Sequence, residues 1–509
     1  MGTVSFFTLL SRITGFVRDV VIAHGFGAGM AADAFFVAQK LPNFLRRLFA
    51  EGAFSTAFVP VLGGYVARGE QEEVQEVVQS VYSVLLAILV LVVLIAQIAM
   101  PLLIMILAPG FMADGEKFQL TVDLTRITFP YILFIALVSL AAGVQNTYRH
   151  FALPAFTPVL LNISIMVGAF GIAPLFAEPT MGLAFGIFLG GVTQLALQYP
   201  AMKKLGVPLR WRWNPRHEAI GRILKLMGPS VLGVSVAQIG LLFDLFIASF
   251  LPQGSVSYLY YADRLVEFPL GIIGIAMATA ILPTLTARAA KEDMPGLRSD
   301  LDFALRIMVL INLPATAGLI ILGEPLLTML FQRGAFSEEA TALTYQAMVA
   351  FGMGLIGFSG VKILAPAFYA LHDTKTPVKI AILCLATNMG LNLLLMGSMK
   401  HVGLALATTL AAYLNAGLLL WNLSRRIDFH PGRGFYSALW RAMVATGIMG
   451  GGLWWFKGWI PLDSGTWAIA RMLLPAVAVA MILYGASCWI LRVAELRELM
   501  AALAKRRKS

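Results

Sequence analysis

Long apolar segments alternate with short polar stretches along the whole chain. About fourteen of these segments hold enough apolar residues to cross a bilayer, for which a helix needs roughly 20 residues. Their approximate bounds are 4–30, 33–64, 77–108, 119–147, 154–174, 181–202, 226–250, 257–288, 301–323, 340–370, 376–396, 402–423, 436–457 and 467–491. The pattern predicts an all-α polytopic membrane protein, because backbone groups in lipid must be satisfied within a helix. An even number of spans places both termini on the same side.

Basic side chains are distributed unevenly between the two sets of connecting loops. Loops after even-numbered segments, with the C-terminus, hold most of them: Arg68, Arg149, the run from Lys203 to Lys225, Arg288, Lys291, Arg298, Lys375, Lys379, Arg425, Arg426, Arg433 and the tail KRRKS. Loops after odd-numbered segments hold little beyond Lys117, Arg333, Lys400 and Lys457. Since basic loops remain in the cytoplasm, we expect both termini to be cytoplasmic.

The composition supports a membrane protein, and the location of the basic residues explains the positive net charge. Of 509 residues, 59% are hydrophobic and only 13% are charged, whereas soluble domains carry about 25% charged residues. A formal net charge of +11 would suit nucleic acid. Its concentration in one set of loops indicates topology and attraction to anionic membrane lipids instead. We therefore predict no nucleic-acid partner.

One basic connection also contains tryptophan. The stretch LRWRWNPRHEAIGRILK, residues 209–225, predicts an interfacial amphipathic helix on the cytoplasmic face. A plain basic loop is the alternative.

The chain contains an internal repeat. The stretch VRDVVIAHGFGAGMAADAFFVAQKLPNF resembles LFDLFIASFLPQGSVSYLYYADRLVEF, with Asp19 opposite Asp244 and Pro60 opposite Pro283. The offset is about 224 residues, which makes segments 1–6 and 7–12 two copies of one six-helix unit in the same orientation. Such a parallel repeat predicts a pseudo-two-fold axis along the membrane normal and a cavity between two lobes, as in transporters.

The repeat divides the chain into four parts. We predict an N-lobe at 1–208, a cytoplasmic amphipathic linker at 209–225, a C-lobe at 226–424, and two extra helices with a basic cytoplasmic tail at 425–509.

Several charged residues lie inside the predicted spans, where each costs about 2.5–3.5 kcal/mol on insertion scales. They include Arg12, Arg18, Asp19, Asp33, Arg46, Arg47, Arg264 and Glu267. Arginine keeps its charge and presents a planar donor fork that suits phosphate. An excess of arginine from both repeats therefore predicts a cavity for an anionic lipid headgroup. The alternative is pairing, of Arg18 or Arg12 with Asp19 and of Arg264 with Glu267. Periodicity does not separate Arg46 from Arg47.

The sequence contains no convincing motif of an enzyme active site. The sequence has no P-loop, no HExxH and no cysteine pair, and GFGAGMAAD predicts a helix-breaking turn rather than a phosphate loop. The sequon at Asn162 lies inside an apolar segment and is given no function.

A Na⁺ site for a coupling ion is predicted from oxygen ligands at one depth, namely Asp244, Asn388, Asn392 and Thr408. The alternative for the two asparagines and the threonine is interhelical hydrogen bonding.

Several long motifs extend over most of the chain: SRITGFVRD, FGAGMAADAFFVAQKLPNFLRRLFAEGAFSTAFVP, ITFPYILFIALVSL, GPSVLGVSVAQI, SVSYLYYADRLVEFPLGIIGIAMATAILP and DTKTPVKIA. These motifs resemble the MurJ (MviN) family of bacterial lipid II flippases, within the MOP exporter superfamily. The resemblance implies fourteen helices, with two six-helix lobes around a central cavity. It also implies a groove for the undecaprenyl tail on predicted segments 13 and 14, residues 436–457 and 467–491. It assigns cavity arginines to Arg12, Arg18, Arg46 and Arg264, and functionally sensitive acids to Asp33 and Glu267.

The resemblance also implies a function. The substrate would be lipid II, an undecaprenyl-pyrophosphate glycopeptide, moved by alternating access from the cytoplasmic to the periplasmic leaflet of the inner membrane for peptidoglycan synthesis. The chain would be a transporter and not an enzyme, with no cofactor other than a coupling Na⁺. It would act as a monomer that contacts membrane lipids and other wall-synthesis proteins. The alternatives are a flippase of another polyprenyl-linked glycan, a multidrug/cation antiporter and a non-transport scaffold.

Overall fold

The structure is a computed structural model that describes residues 2–47, 54–462, 464–493 and 495, and the side chains of 229–237 and 272–280 lie outside that description. The described residues form helices and no strands. The helices are α1 (Gly2–Phe26), α2 (Met30–Arg46), α3 (Phe54–Arg68), α4 (Gln71–Leu107), α5 (Gly115–Thr128), α6 (Tyr131–Thr147), α7 (Ala152–Val167), α8 (Thr180–Lys204), α9 (Glu218–Ala248), α10 (Ser255–Ala290), α11 (Met294–Leu330), α12 (Glu338–Gly352), α13 (Leu355–Ala370), α14 (Lys375–Ile427), α15 (Arg433–Lys457) and α16 (Thr466–Ile490). The all-α prediction is confirmed, and the tail KRRKS lies outside the described residues.

Eight helical stretches in the described part of the chain are long and apolar enough to cross a membrane. Each of them covers at least one predicted span to within one residue at the ends of that span, and the 53-residue helix α14 contains two. Lys400 breaks α14 with φ 50° and ψ −132°, which is where the sequence separates two spans. The helix α1 is not in this set because it carries Arg12, Arg18 and Asp19. The count of fourteen therefore stays a prediction.

The chain forms two compact units. The first contains residues 1–257 and 334–336, and the second contains 258–333 and 337–509. In the first, α1 packs on α7, α2 on α5, and α6 on α8. In the second, α11 packs on α12 and α15, α13 on α14, and α15 on α16. The first unit extends beyond the predicted linker because α9 packs against α3 and α4. The division into repeat-based lobes stays a prediction.

Helix ends preserve the repeat inside each unit. Gly69 and Glu292, separated by the repeat offset, both have positive φ, at 78° and 55°. Each donates its backbone N–H to the residue three positions earlier, with N···O distances of 3.1 and 3.0 Å. Arg149 and His372 form a second such pair, with φ of 61° and 58°. The internal repeat is therefore present in the backbone conformation as well as in the side-chain pattern.

Helix starts repeat as well. The side chains of Asp114 and Ser337, again one offset apart, each accept a hydrogen bond from the backbone N–H three residues later, at 3.1 Å in both cases. Such N-caps satisfy donors that a helix leaves unpaired at its first turn. Asp373 of DTKTPVKIA has a related role before α14. Hydrogen bonds from the hydroxyl and backbone N–H of Thr376 hold the pKa of Asp373 below its usual value.

The predicted interfacial helix over 209–225 is wrong in its first half. Residues 207–214 have no regular secondary structure and α9 begins only at Glu218. Side chains one turn apart along α4 hold this segment: Gln75 Nε2 donates to Gly206 O at 2.6 Å, and Gln79 Nε2 donates to Pro208 O at 3.3 Å. Helix formation is also opposed by the fixed φ of Pro208.

Two glycines permit close backbone approach in the first unit. The prediction of a turn at GFGAGMAAD is confirmed, because Gly27 has φ 65° directly after α1. A Cβ at Gly27 would lie 2.3 Å from Ala335 O, and a Cβ at Gly110 would lie 2.2 Å from Ser249 O. These contacts help attach residues 249–257 and 334–336 to the N-terminal helices. They require glycine at both positions.

We predict that Gly27→Ala destabilises the protein more than Gly69→Ala. Both substitutions place alanine in the left-handed region, which costs about 1–2 kcal/mol. Only Gly27→Ala adds a clash, worth about 1–3 kcal/mol more, since no atom lies within 4 Å of a Cβ at Gly69. Thermal unfolding of the purified protein in detergent measures the difference. Equal midpoints for the two variants would contradict the close approach at Gly27.

Candidate functional site

Two charged residues that are adjacent in sequence on α1 pair with each other inside the first unit. Arg18 and Asp19 are 8% and 3% exposed. Arg18 Nε and Nη2 donate to Asp19 Oδ1 at 3.0 and 2.6 Å. Arg18 Nη1 donates to Asn162 Oδ1 on α7 at 3.1 Å. The pairing alternative is therefore observed for Arg18, whose guanidinium is both neutralised and held by two helices.

Arg12 has a different environment. It lies six residues before Arg18, about 9 Å along the helix axis at 1.5 Å per residue, and its side chain is exposed. Among the described residues, no carboxylate forms an ion pair with Arg12. Arg12 is therefore the arginine of α1 whose charge is not offset by a neighbouring carboxylate.

The end of α2 places Arg46 and Arg47 side by side. Both are half-buried. Arg46 Nε lies 3.5 Å from Asn43 Oδ1, and the backbone N–H of Arg47 caps the helix end by donating to Asn43 O and Phe44 O. Burial does not distinguish the two side chains. The assignment to Arg46 still depends on the resemblance.

Asp33, in the first turn of α2, is 1% exposed and accepts four hydrogen bonds. Its Oδ2 accepts from Lys117 Nζ and Gly254 N, both at 2.8 Å. Its Oδ1 accepts from Ser257 N at 2.9 Å and Ser257 Oγ at 2.7 Å. The carboxylate thus caps the N-terminus of α10 and pairs with a buried lysine.

Lys117, which the sequence places in a loop after an odd-numbered segment, is the buried partner of Asp33. It is 6% exposed and its Nζ lies 4.0 Å from the centre of the Phe111 ring. An ion pair and a cation–π contact together stabilise a charge that would otherwise be buried at high cost. The position of Lys117 at the start of the apolar stretch Gly115–Thr147 was the available signal.

In the second unit, Arg264 and Glu267 pair along one face of α10. Arg264 Nη1 lies 2.9 Å from Glu267 Oε2, with side chains 38% and 47% exposed. The guanidinium also lies 5.0 Å from the centre of the Tyr260 ring. The pairing alternative is again observed. An exposed pair of this kind is worth about 0–1 kcal/mol, so a stronger anion can displace Glu267.

Three of the four predicted Na⁺ ligands are neighbours in the second unit. Asn388 Nδ2 donates to Thr408 Oγ1 at 3.3 Å, and Asn392 Nδ2 donates to Asn388 Oδ1 at 3.2 Å. Asp244 lies on α9 in the first unit. Across the described residues, no group of three or more His, Cys, Asp or Glu side chains could hold a metal ion. The bond of Asn388 with Thr408 joins the two halves of α14 on either side of Lys400, as the hydrogen-bonding alternative predicts, whereas the bond of Asn392 with Asn388 lies within one half.

Comparison with known proteins identifies the family. A family model described as "Lipid II flippase MurJ" matches residues 22–474. This chain belongs to the MurJ family. The probable lipid II flippase MurJ of Haemophilus influenzae is 41% identical over 503 residues, which cover 96% of this chain and 98% of that protein. MurJ proteins are membrane transporters rather than enzymes.

Solved structures agree with this assignment. Lipid II flippase MurJ in an inward closed conformation matches with a TM-score of 0.79 and 26% identity, over 98% of this chain and 100% of that one. An inward-facing multidrug resistance MATE transporter of the MOP superfamily matches with a TM-score of 0.69 over 82% of this chain and 94% of that one. At 15% identity, the MATE match shows a shared fold alone.

We predict that Lys117→Met destabilises this MurJ protein by about 3–5 kcal/mol, because it leaves the buried Asp33 carboxylate without its counter-ion. The double variant K117M/D33N removes both charges and should recover part of that loss. Arg222→Met is the matched control, since the pair of Arg222 with Glu218 is exposed and worth about 0–1 kcal/mol. Thermal unfolding in detergent is the measurement. If K117M unfolded at the same temperature as R222M, the ion pair would not be a stabilising contact.

Proposed function

We propose that this chain moves lipid II from the cytoplasmic to the periplasmic leaflet of the bacterial inner membrane for peptidoglycan synthesis, with both termini cytoplasmic. Membership of the MurJ family, with 41% identity over 503 residues to a probable lipid II flippase, is the observation that carries the proposal. Lipid II joins a pyrophosphate to an undecaprenyl tail. A carrier for it therefore needs cationic groups at membrane depth, where they are otherwise costly.

Arg12, Arg18, Arg46 and Arg264 are proposed to bind the pyrophosphate. Support comes from Arg12, an exposed arginine that no described carboxylate neutralises. Support also comes from Arg18, whose guanidinium is buried and oriented from two helices. A pyrophosphate carries more negative charge than the Asp19 carboxylate and accepts paired donors from a guanidinium fork. It can therefore compete with Asp19 for Arg18.

Asp33 and Glu267 then have separate proposed roles. Glu267 forms an ion pair with Arg264 when substrate is absent, and the incoming phosphate displaces Glu267 from Arg264. Asp33 holds the start of α10, the helix that carries Arg264, through the backbone N–H groups of Gly254 and Ser257. Both acids thereby affect substrate binding through the arginine that they position.

Transport is proposed to proceed by alternating access. The carrier would alternate between a state open to the cytoplasm and a state open to the periplasm. Headgroup binding offsets repulsion among the arginines, and this gives the headgroup a different affinity for each state. Binding therefore shifts the populations of the two states. With the cell interior negative, each negative charge moved outward gains about 2.3 kcal/mol per 100 mV. A Na⁺ ion at Asp244, Asn388, Asn392 and Thr408 is proposed to assist the return of the empty carrier. The monomer suffices for this cycle.

A flippase for another polyprenyl-linked glycan would use the same pyrophosphate chemistry and is the second candidate. A drug/cation antiporter within the MOP superfamily is disfavoured, because Arg12 would repel a cationic substrate.

The first experiment replaces Arg18 in cells depleted of their own flippase. R18A leaves Asp19 buried without this partner, so the double variant R18A/D19N is included to keep the protein folded. We expect R18A/D19N and R18K each to lower the amount of lipid II accessible on the outer leaflet by about tenfold, since neither provides a guanidinium fork.

Arg222→Ala is the control, because it removes the same charge from an exposed pair. It should leave transport unchanged at equal protein level. Full transport by R18A/D19N would show that Arg18 and Asp19 are a structural ion pair. The cationic-headgroup proposal would then be wrong.

A further inference from the structure

Asn162 is the buried polar residue that links Arg18 to a second helix. It lies on α7, is 6% exposed, and uses both ends of its amide. Its Oδ1 accepts from Arg18 Nη1 at 3.1 Å. Its Nδ2 donates to Ser11 O at 3.1 Å and to Thr14 Oγ1 at 3.2 Å on α1.

The orientation of this amide is determined by its partners. A guanidinium has only donors and a backbone carbonyl only accepts, so Arg18 and Ser11 O specify which end of Asn162 faces each of them. Gly15 makes the approach feasible, because even its Cβ position lies only 3.4 Å from Asn162 Nδ2. A larger side chain at residue 15 would occupy the space between the amide and α1.

Two of the contacts of Arg18 hold it from different directions. Asp19 holds the guanidinium through Nε and Nη2 from the same helix, while Asn162 holds it through Nη1 from α7. Two separate anchors fix the plane of a guanidinium, whereas one allows it to rotate about the side-chain bonds. Since paired hydrogen bonding to phosphate depends on the direction of that plane, the second anchor matters for anion binding.

We propose that Asn162 is a positioning residue for anion recognition. It holds the Arg18 guanidinium in the orientation that receives the pyrophosphate, an assignment that rests on the proposed role of Arg18. Asn162 therefore acts through Arg18 and need not touch the substrate. The competing explanation is a simple interhelical hydrogen bond that holds α1 against α7.

A double-mutant cycle distinguishes these explanations. Lipid II binding is measured on the purified full-length protein in nanodiscs for four forms: the parent protein, N162L, R18A/D19N and R18A/D19N/N162L. Leucine matches asparagine in size and removes the amide contacts. A hydrogen bond to a charged group supports an expected loss of about tenfold in affinity for N162L in the parent protein. In the R18A/D19N background we expect N162L to change affinity by less than about twofold.

Two further variants support the cycle. Thr14→Val keeps the size of the side chain but removes the Thr14 hydroxyl contact to Asn162, and should weaken binding in the same Arg18-dependent way by about two- to threefold. T14V provides the test even if N162L folds poorly. Ser164→Ala is the matched control on α7, because Ser164 Oγ contacts Thr193 Oγ1 at 3.4 Å rather than Arg18. S164A should bind lipid II like the parent protein.

The outcomes separate the two proposals. If R18A/D19N loses affinity while N162L and T14V bind normally, Arg18 recognises the lipid and the role of Asn162 is refuted. If N162L weakens binding equally in both backgrounds, Asn162 acts only as a helix contact and the positioning role is again refuted. If R18A/D19N binds lipid II like the parent protein, the proposed role of Arg18 fails, and with it the role of Asn162.

Discussion

The cost of burying an ion in an apolar environment is the constraint on which the rest of this structure depends. A buried charge is tolerated when a partner neutralises it or when it faces an aqueous cavity. The first unit meets the first condition twice, with Arg18 against Asp19 and Lys117 against Asp33. Each pair has additional hydrogen bonds that satisfy the charged groups, which is what makes a buried pair tolerable.

These two pairs differ in what they connect. Arg18 and Asp19 are neighbours in sequence, so their pair stabilises a local conformation of α1, and Asn162 links that conformation to α7. Asp33 and Lys117 are on different helices, and the same carboxylate also caps the first turn of α10. The first pair lies within one helix, while the second joins three helices. The same electrostatic requirement is thus met locally at one position and between helices at the other.

The internal repeat shows which features of the fold are independent of these charges. Left-handed residues at helix ends and side-chain caps at helix starts recur one offset apart, as in Gly69 with Glu292 and Asp114 with Ser337. The buried ion pair of Asp33 with Lys117 does not recur, since Lys117 falls opposite Ala340. The way helices begin and end is therefore common to both copies, whereas this ion pair belongs to one copy.

The helical class, the repeat, the family and the unusual arginines could be read from the sequence, because apolar periodicity and long motifs do not depend on how the helices pack. The pairing of Arg18 with Asp19 could also be predicted, since adjacent residues can reach each other. The pairing of Lys117 with Asp33 and the contact of Asn162 with Arg18 required the folded structure, because those partners are 84 and 144 residues apart. The absence of a helix at residues 207–214 likewise required the folded structure, because the glutamines of α4 that hold this segment are more than a hundred residues away.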